Sequence, residues 1–130
     1  MRTLLIDDFR QLKADFTATT YELGIISLED YGPWDLLLLD HDLGEDPPHD
    51  GYGIVCWLEQ HPQYFPKQVR VVSSNPVGRQ NIERVLEKHY TKSSNAWSGY
   101  TWTRKEEDEE CPVSYSLWSR CWTFLRSLLK

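Results

Sequence analysis

Asp35-Leu36-Leu37-Leu38-Leu39-Asp40 sets four consecutive leucines between two aspartates. A run that is apolar throughout, instead of alternating with polar residues, predicts a strand covered on both faces by helices. Working outward, Thr3-Leu4-Leu5-Ile6 has the same character and stops at Asp7-Asp8. Val69-Arg70-Val71-Val72 is a further β-branched run, closed by Ser73-Ser74-Asn75-Pro76. A short strand near Phe16–Thr19 is also expected.

Helical patterns lie between these runs. Tyr21, Ile25, Leu28 and Tyr31 recur at helical spacing over 20–31 until Gly32-Pro33 breaks the pattern. Tyr52–His61 reads as a second helix after a loop rich in Gly, Pro and Asp. A third follows Pro76, with Ser74 or Asn75 as its cap and Ile82, Val85, Leu86 and Tyr90 as its apolar stripe. Beyond His89 the pattern weakens. Trp97–Thr103 alternates aromatic and small polar residues and suits a final strand, Glu106–Glu110 a solvated acidic loop, and Leu117, Cys121, Leu125 and Leu128 one face of a closing helix. Alternating strands and helices predict an α/β fold: a receiver-like (flavodoxin-like), doubly wound parallel sheet of about five strands in a three-layer α/β/α arrangement.

At 130 residues, residues 1–130 are expected to form a single domain. The 14 basic and 20 acidic residues give a net charge of −6, which argues against gripping a long stretch of nucleic acid, since that needs clustered Lys and Arg. The three cysteines, Cys56, Cys111 and Cys121, have neither the number nor the spacing of a disulfide framework or a zinc site. Met1–Arg10 does not read as a signal peptide and no apolar stretch is long enough for a membrane span, so a cytoplasmic location is expected.

The predicted topology has a chemical consequence. Ligands of such sheets sit outside the carboxyl ends of the strands. Asp7 and Asp8 end the first strand, Asp40 the leucine run, and Ser73, Ser74 and Asn75 the Val69–Val72 run. Carboxylates drawn together repel one another unless a cation lies between them, and hard oxygen ligands suit Mg²⁺ or Mn²⁺. His41, at the bend after Asp40, is a candidate general acid or base with Asp40 or Asp42. Asn75–Arg79 adds a helix amino terminus and, one turn on, the Arg79 guanidinium, both suited to phosphate. A fixed Lys or Arg standing in the cation's place would undo this reading. His49, His61 and His89 show no metal-type spacing.

Taken together, Leu5-Ile6-Asp7-Asp8, Leu39-Asp40-His41-Asp42-Leu43-Gly44, Asp50-Gly51-Tyr52, Trp57-Leu58-Glu59 and Ser73-Ser74-Asn75-Pro76-Val77-Gly78-Arg79 resemble the cyclic-phosphate processing receiver domain, an atypical relative of response-regulator receivers. The resemblance runs through residues 3–90 and leaves 91–130 divergent. It implies an acidic pocket turned toward binding or hydrolysing a cyclic phosphate on a nucleotide or an RNA end. Under it, Asp7 and Asp8 match the metal-binding pair, Asp40 the receiver phosphoacceptor, and His41, Asp42, Ser73, Asn75 and Arg79 the positions particular to this family. Where the family often carries a His before the Ser-x-Asn element, this chain has Val72. Arg104 or Lys105 is expected where ordinary receivers place a Lys after the fifth strand.

Three functions follow as expectations. The first is a metal-dependent phosphodiesterase-like activity on a small cyclic phosphate. The second is a signalling receiver phosphorylated on Asp40. The third is a non-catalytic module that holds a protein partner through exposed Trp97, Trp102 or Trp118.

Overall fold

The computed structural model describes residues 1–95 and 99–105. Its elements are β1 (Thr3–Ile6), β2 (Phe16–Ala18), α1 (Tyr21–Asp30), β3 (Leu36–Leu39), α2 (Gly51–Gln60), β4 (Gln68–Val71), α3 (Pro76–His89), β5 (Tyr90–Asn95) and β6 (Gly99–Arg104). They form a mixed α/β fold of the receiver or flavodoxin-like kind. The central sheet has six strands in the order β2-β1-β3-β4-β6-β5. Strands β2, β1, β3 and β4 are parallel.

Two expectations are corrected here. The sheet has six strands instead of about five, and its last two form an antiparallel hairpin that pairs with β4 through Gln68↔Thr103 and Val69↔Trp102. Strand β5 escaped sequence reading because, after the buried Tyr90 at its start, Thr91, Lys92 and Ser93 are exposed and carry no apolar period. The helix expected over Leu117–Leu128 lies outside the described residues.

Helices α1, α2 and α3 share one face of the sheet. Leu4, Ile6, Leu37, Leu39, Val69 and Val71 point to that face and pack in one cluster with Leu28, Ile54, Leu58, Ile82 and Leu86 from the helices. The alternate strand positions, Leu5, Leu36 and Leu38, form a second, smaller cluster with Ala14 and Val72 on the opposite side. All four leucines of β3 are therefore buried, two toward each face, which explains their unbroken run.

Each helix starts on a side-chain cap. The Thr20 hydroxyl accepts from the Leu23 N–H at 3.1 Å, Asp50 from Gly53 at 2.8 Å and Asn75 from Gly78 at 3.2 Å. Pro76 occupies the first turn of α3, where its missing N–H costs no intrahelical bond. Among the described residues, no helix is long and apolar enough to cross a membrane.

Candidate functional site

Strand register builds the site. Ile6 pairs with Leu39 and Leu39 with Val71, so the residues one step further along, Asp7, Asp40 and Val72, emerge together at the carboxyl edge. The ladder continues past the strands, with Asp40 N–H donating to Ile6 O at 3.0 Å and Val72 N–H to Leu39 O at 2.9 Å. One oxygen from each of Asp7, Asp8 and Asp40 lies within 4.8 Å of the other two. Asp7 and Asp40 are buried and Asp8 is exposed, so the cluster reaches solvent through Asp8.

The electrostatics follow from that crowding. Burial, and next the negative charge of Asp7, push the Asp40 carboxyl above its ordinary range; Arg10, a hydrogen bond from Ser73 and the His41 N–H offset part of the rise. Arg10 is a residue of the candidate site that sequence reasoning missed. Its Nη1 stands 3.3 Å from Asp7 Oδ2 and 3.5 Å from Asp40 Oδ1. The Asp7 Oδ1 atom accepts the backbone N–H groups of Phe9 at 2.9 Å and Arg10 at 3.1 Å, which turns the chain sharply and sends the guanidinium back over the carboxylates. A cation two positions after a strand-end Asp-Asp was the available signal.

Arg10 bears directly on whether a metal fits. Three carboxylates carry −3, one guanidinium returns +1, and the remaining −2 matches a divalent cation. Arg10 reaches the pocket through one nitrogen, its side chain is a third exposed, and Asp8 makes no ion pair among the described residues. The hard-oxygen donor set and its remaining charge suit Mg²⁺ or Mn²⁺, and Asp7, Asp8 and Asp40 are the residues that would hold it.

His41 follows Asp40, and its ring is wedged among Asp42, Asp50 and the amino terminus of α3. Its Nδ1 is 3.0 Å from Asp42 Oδ1 and its Nε2 3.7 Å from Asp50 Oδ2, so a carboxylate faces each ring nitrogen. Two glycines make the wedge possible. A Cβ on Gly51 would lie 2.1 Å from Asp40 O, and one on Gly78 would lie 2.3 Å from His41 Cγ. The amino termini of α2 and α3 therefore approach the Asp40-His41 backbone and ring as closely as bare backbone allows. Asp50, the cap of α2, is a second residue the sequence reading passed over, although it lies in a quoted motif.

The remaining candidates divide. Ser73 is buried, bonds the Asp40 carboxylate and accepts the Asn75 N–H at 3.0 Å. Asn75 caps α3, whereas Ser74 is exposed beside it. Arg79 pairs with Glu83 one turn further along α3 at 3.5 Å. Arg104 and Lys105 correct the expectation placed on them: because β6 runs antiparallel, its end lies at the amino edge of β4. There Arg104 N–H donates to Lys67 O at 2.8 Å, and Lys105 Nζ meets Glu87 O at 3.2 Å. The positive charge at the carboxyl edge comes from Arg10 instead. Of the tryptophans proposed for partner contact, Trp102 is 2% exposed and packs in the core, while Trp97 and Trp118 lie outside the described residues.

A comparison with curated proteins returns no match. The family model described as the cyclic-phosphate processing receiver domain matches residues 2–88, two thirds of the chain. Every element from β1 to β4 and all of α3 but its last residue fall within that span, as do Asp7, Asp8, Asp40, His41, Ser73 and Asn75. The chain belongs to the cyclic-phosphate processing receiver domain family.

Proposed function

We propose that this domain binds a divalent metal ion and a small cyclic phosphate at the carboxyl edge of its sheet and opens the phosphate ring by hydrolysis. The observation that carries this reading is the meeting of Asp7, Asp8 and Asp40 within 4.8 Å beside a guanidinium that leaves two negative charges uncompensated. Mg²⁺ or Mn²⁺ would polarise a phosphoryl oxygen as a Lewis acid. Arg10 offers its free N–H groups to a second phosphoryl oxygen. Asn75, Ser73 and the amino terminus of α3 border the anion, and Arg79 stands one turn along the same helix.

Proton transfer falls to His41, whose two ring nitrogens face Asp42 and Asp50. Water oxygen attacks phosphorus while His41 accepts its proton, and the ring P–O bond breaks. The departing oxygen takes the proton back from His41, leaving a phosphate monoester. With Val72 where the family often has a second His, a single imidazole serves both directions. Alternation along β4 sets Val72 on the same face as Asp7 and Asp40, so the place beside the carboxylates is apolar here.

The test is turnover of 2′,3′-cyclic phosphates and cyclic dinucleotides with Mg²⁺ or Mn²⁺, followed by ³¹P NMR. Ring opening that requires metal and falls at least about 100-fold in Asp40→Asn supports the reading. Absence of turnover together with absence of metal binding by calorimetry refutes it. A gain of one phosphoryl mass on Asp40 after acetyl phosphate treatment, without ring opening, would favour a phosphoacceptor receiver instead.

A further inference from the structure

Glycine is a poorer helix former than alanine, yet Gly78 stands in the first turn of α3. No positive φ requires it, since Gly44 is the described glycine that has one. Space requires it instead. A Cβ on Gly78 would lie 2.3 Å from His41 Cγ and 2.5 Å from both Cδ2 and Nδ1. Three nearly equal distances put the missing group over the face of the imidazole, so the ring lies flat against the bare Cα.

The ring has little freedom to leave that seat. From the other side α2 fixes its backbone: the Gly51 N–H donates to His41 O at 2.8 Å, and a Cβ on Gly51 would stand 2.9 Å from His41 Cα. Asp42 and Asp50 flank the two ring nitrogens at 3.0 and 3.7 Å. Asp50 is itself held, because its other oxygen accepts the Gly53 N–H at 2.8 Å. Gly78 in turn is tied to the cap of its helix, its N–H donating to Asn75 Oδ1 at 3.2 Å. One residue thus meets the imidazole through its Cα and belongs to the helix end that borders the anion in the reading above. We propose that Gly78 is a positioning residue: its missing side chain seats the His41 ring on α3 and so fixes the proton-transfer group relative to a phosphate at that helix's amino terminus. This rests on the hydrolytic reading and adds what aligns its two halves.

The test is Gly78→Ala in the full chain, alone and combined with His41→Ala. With adenosine 2′,3′-cyclic phosphate and Mg²⁺, kcat should fall about 100-fold, the effect of a displacement of about 1 Å on an aligned reaction. KM and the calorimetric affinity for Mg²⁺ should stay within about 3-fold, with unchanged stoichiometry. Partial unfolding would lower that stoichiometry, which separates positioning from a merely structural role. Thermal unfolding of the metal-free proteins gives a reading that needs no turnover. The added methyl should lower the melting point when His41 is present and leave it unchanged or raised in His41→Ala, where the ring is gone and alanine is the better helix former. A single variant that fails to fold beside a double variant that folds supports the same contact. Equal destabilisation in both backgrounds overturns the proposal, because the methyl then meets something other than the imidazole. An unchanged kcat in Gly78→Ala also overturns it and leaves the hydrolytic reading standing. A wild type that turns over no cyclic phosphate removes both.

Discussion

Strand β3 has an aspartate at each end, and the two behave oppositely. Asp35, at the amino edge, accepts the Arg2 N–H at 2.7 Å and pairs with Lys67 at 3.2 Å; these contacts hold its carboxyl below the usual range. Asp40, at the carboxyl edge, is buried against Asp7 and is pushed above that range despite Arg10 and Ser73. The same residue type, four leucines apart, is satisfied at one edge and left short of positive charge at the other. The amino edge is arranged for stability. The carboxyl edge keeps an electrostatic deficit that a bound cation and its ligand would relieve, the usual sign of a site whose stability is traded for function.

The largest effect expected from breaking this contrast is in Asp40→Asn. Divalent-ion affinity, measured by calorimetry, should fall at least about 100-fold if Asp40 is the direct ligand proposed, since such a ligand matters no less than the outer-shell groups whose loss costs 10- to 100-fold. The metal-free variant should melt higher than the wild type. The sign follows from linkage: a carboxyl raised in the folded state binds its proton more tightly there, so its ionisation costs stability above the folded pKa. The advantage of Asn is thus greatest near neutral pH and shrinks as pH falls through the acid range.

Gly51→Ala tests the close packing beneath the pocket. The added methyl meets the Asp40 carbonyl, part of a strand-end backbone that cannot swing aside like a flexible side chain. Stability in urea should fall by about 1–3 kcal/mol, with loss of metal affinity because Asp40 and His41 move together.

The smallest effect is expected in Asp35→Asn, which keeps an acceptor for the Arg2 N–H but drops the charge that faces the exposed Lys67. Its melting point should be slightly lower than the wild type at neutral pH. Here the linkage has the opposite sign. A depressed carboxyl contributes above its unfolded pKa, about 3.9 for Asp, and that contribution is lost as pH falls through the lower folded value. The two proteins should therefore converge in strong acid, and divergence there would refute the assignment of Asp35 to stability.

Unbroken or β-branched apolar runs located β1, β3 and β4. Helical spacing placed α2, and the cap at Ser74 or Asn75 with Pro76 placed α3, within a residue or two of their observed starts. Residues 90–95 stayed hidden because a hairpin at the edge of a sheet can be polar and exposed along most of its length, leaving no period to read. The helix expected near the carboxyl terminus lies outside the described residues.

For the site, Asp7, Asp8 and Asp40 were legible because a polar residue that ends a buried strand must emerge at the sheet's edge. By itself, then, the sequence determined the parallel core and which carboxylates crown it, since burial and backbone period are local properties. Tertiary structure alone decided that Arg10 folds back onto Asp7 and Asp40, that His41 fits against Gly78, and that Arg104 and Lys105 lie at the far edge from the pocket. Each of these depends on the direction of a distant strand or on contact between segments that are not neighbours along the chain, and no local pattern of residues encodes either.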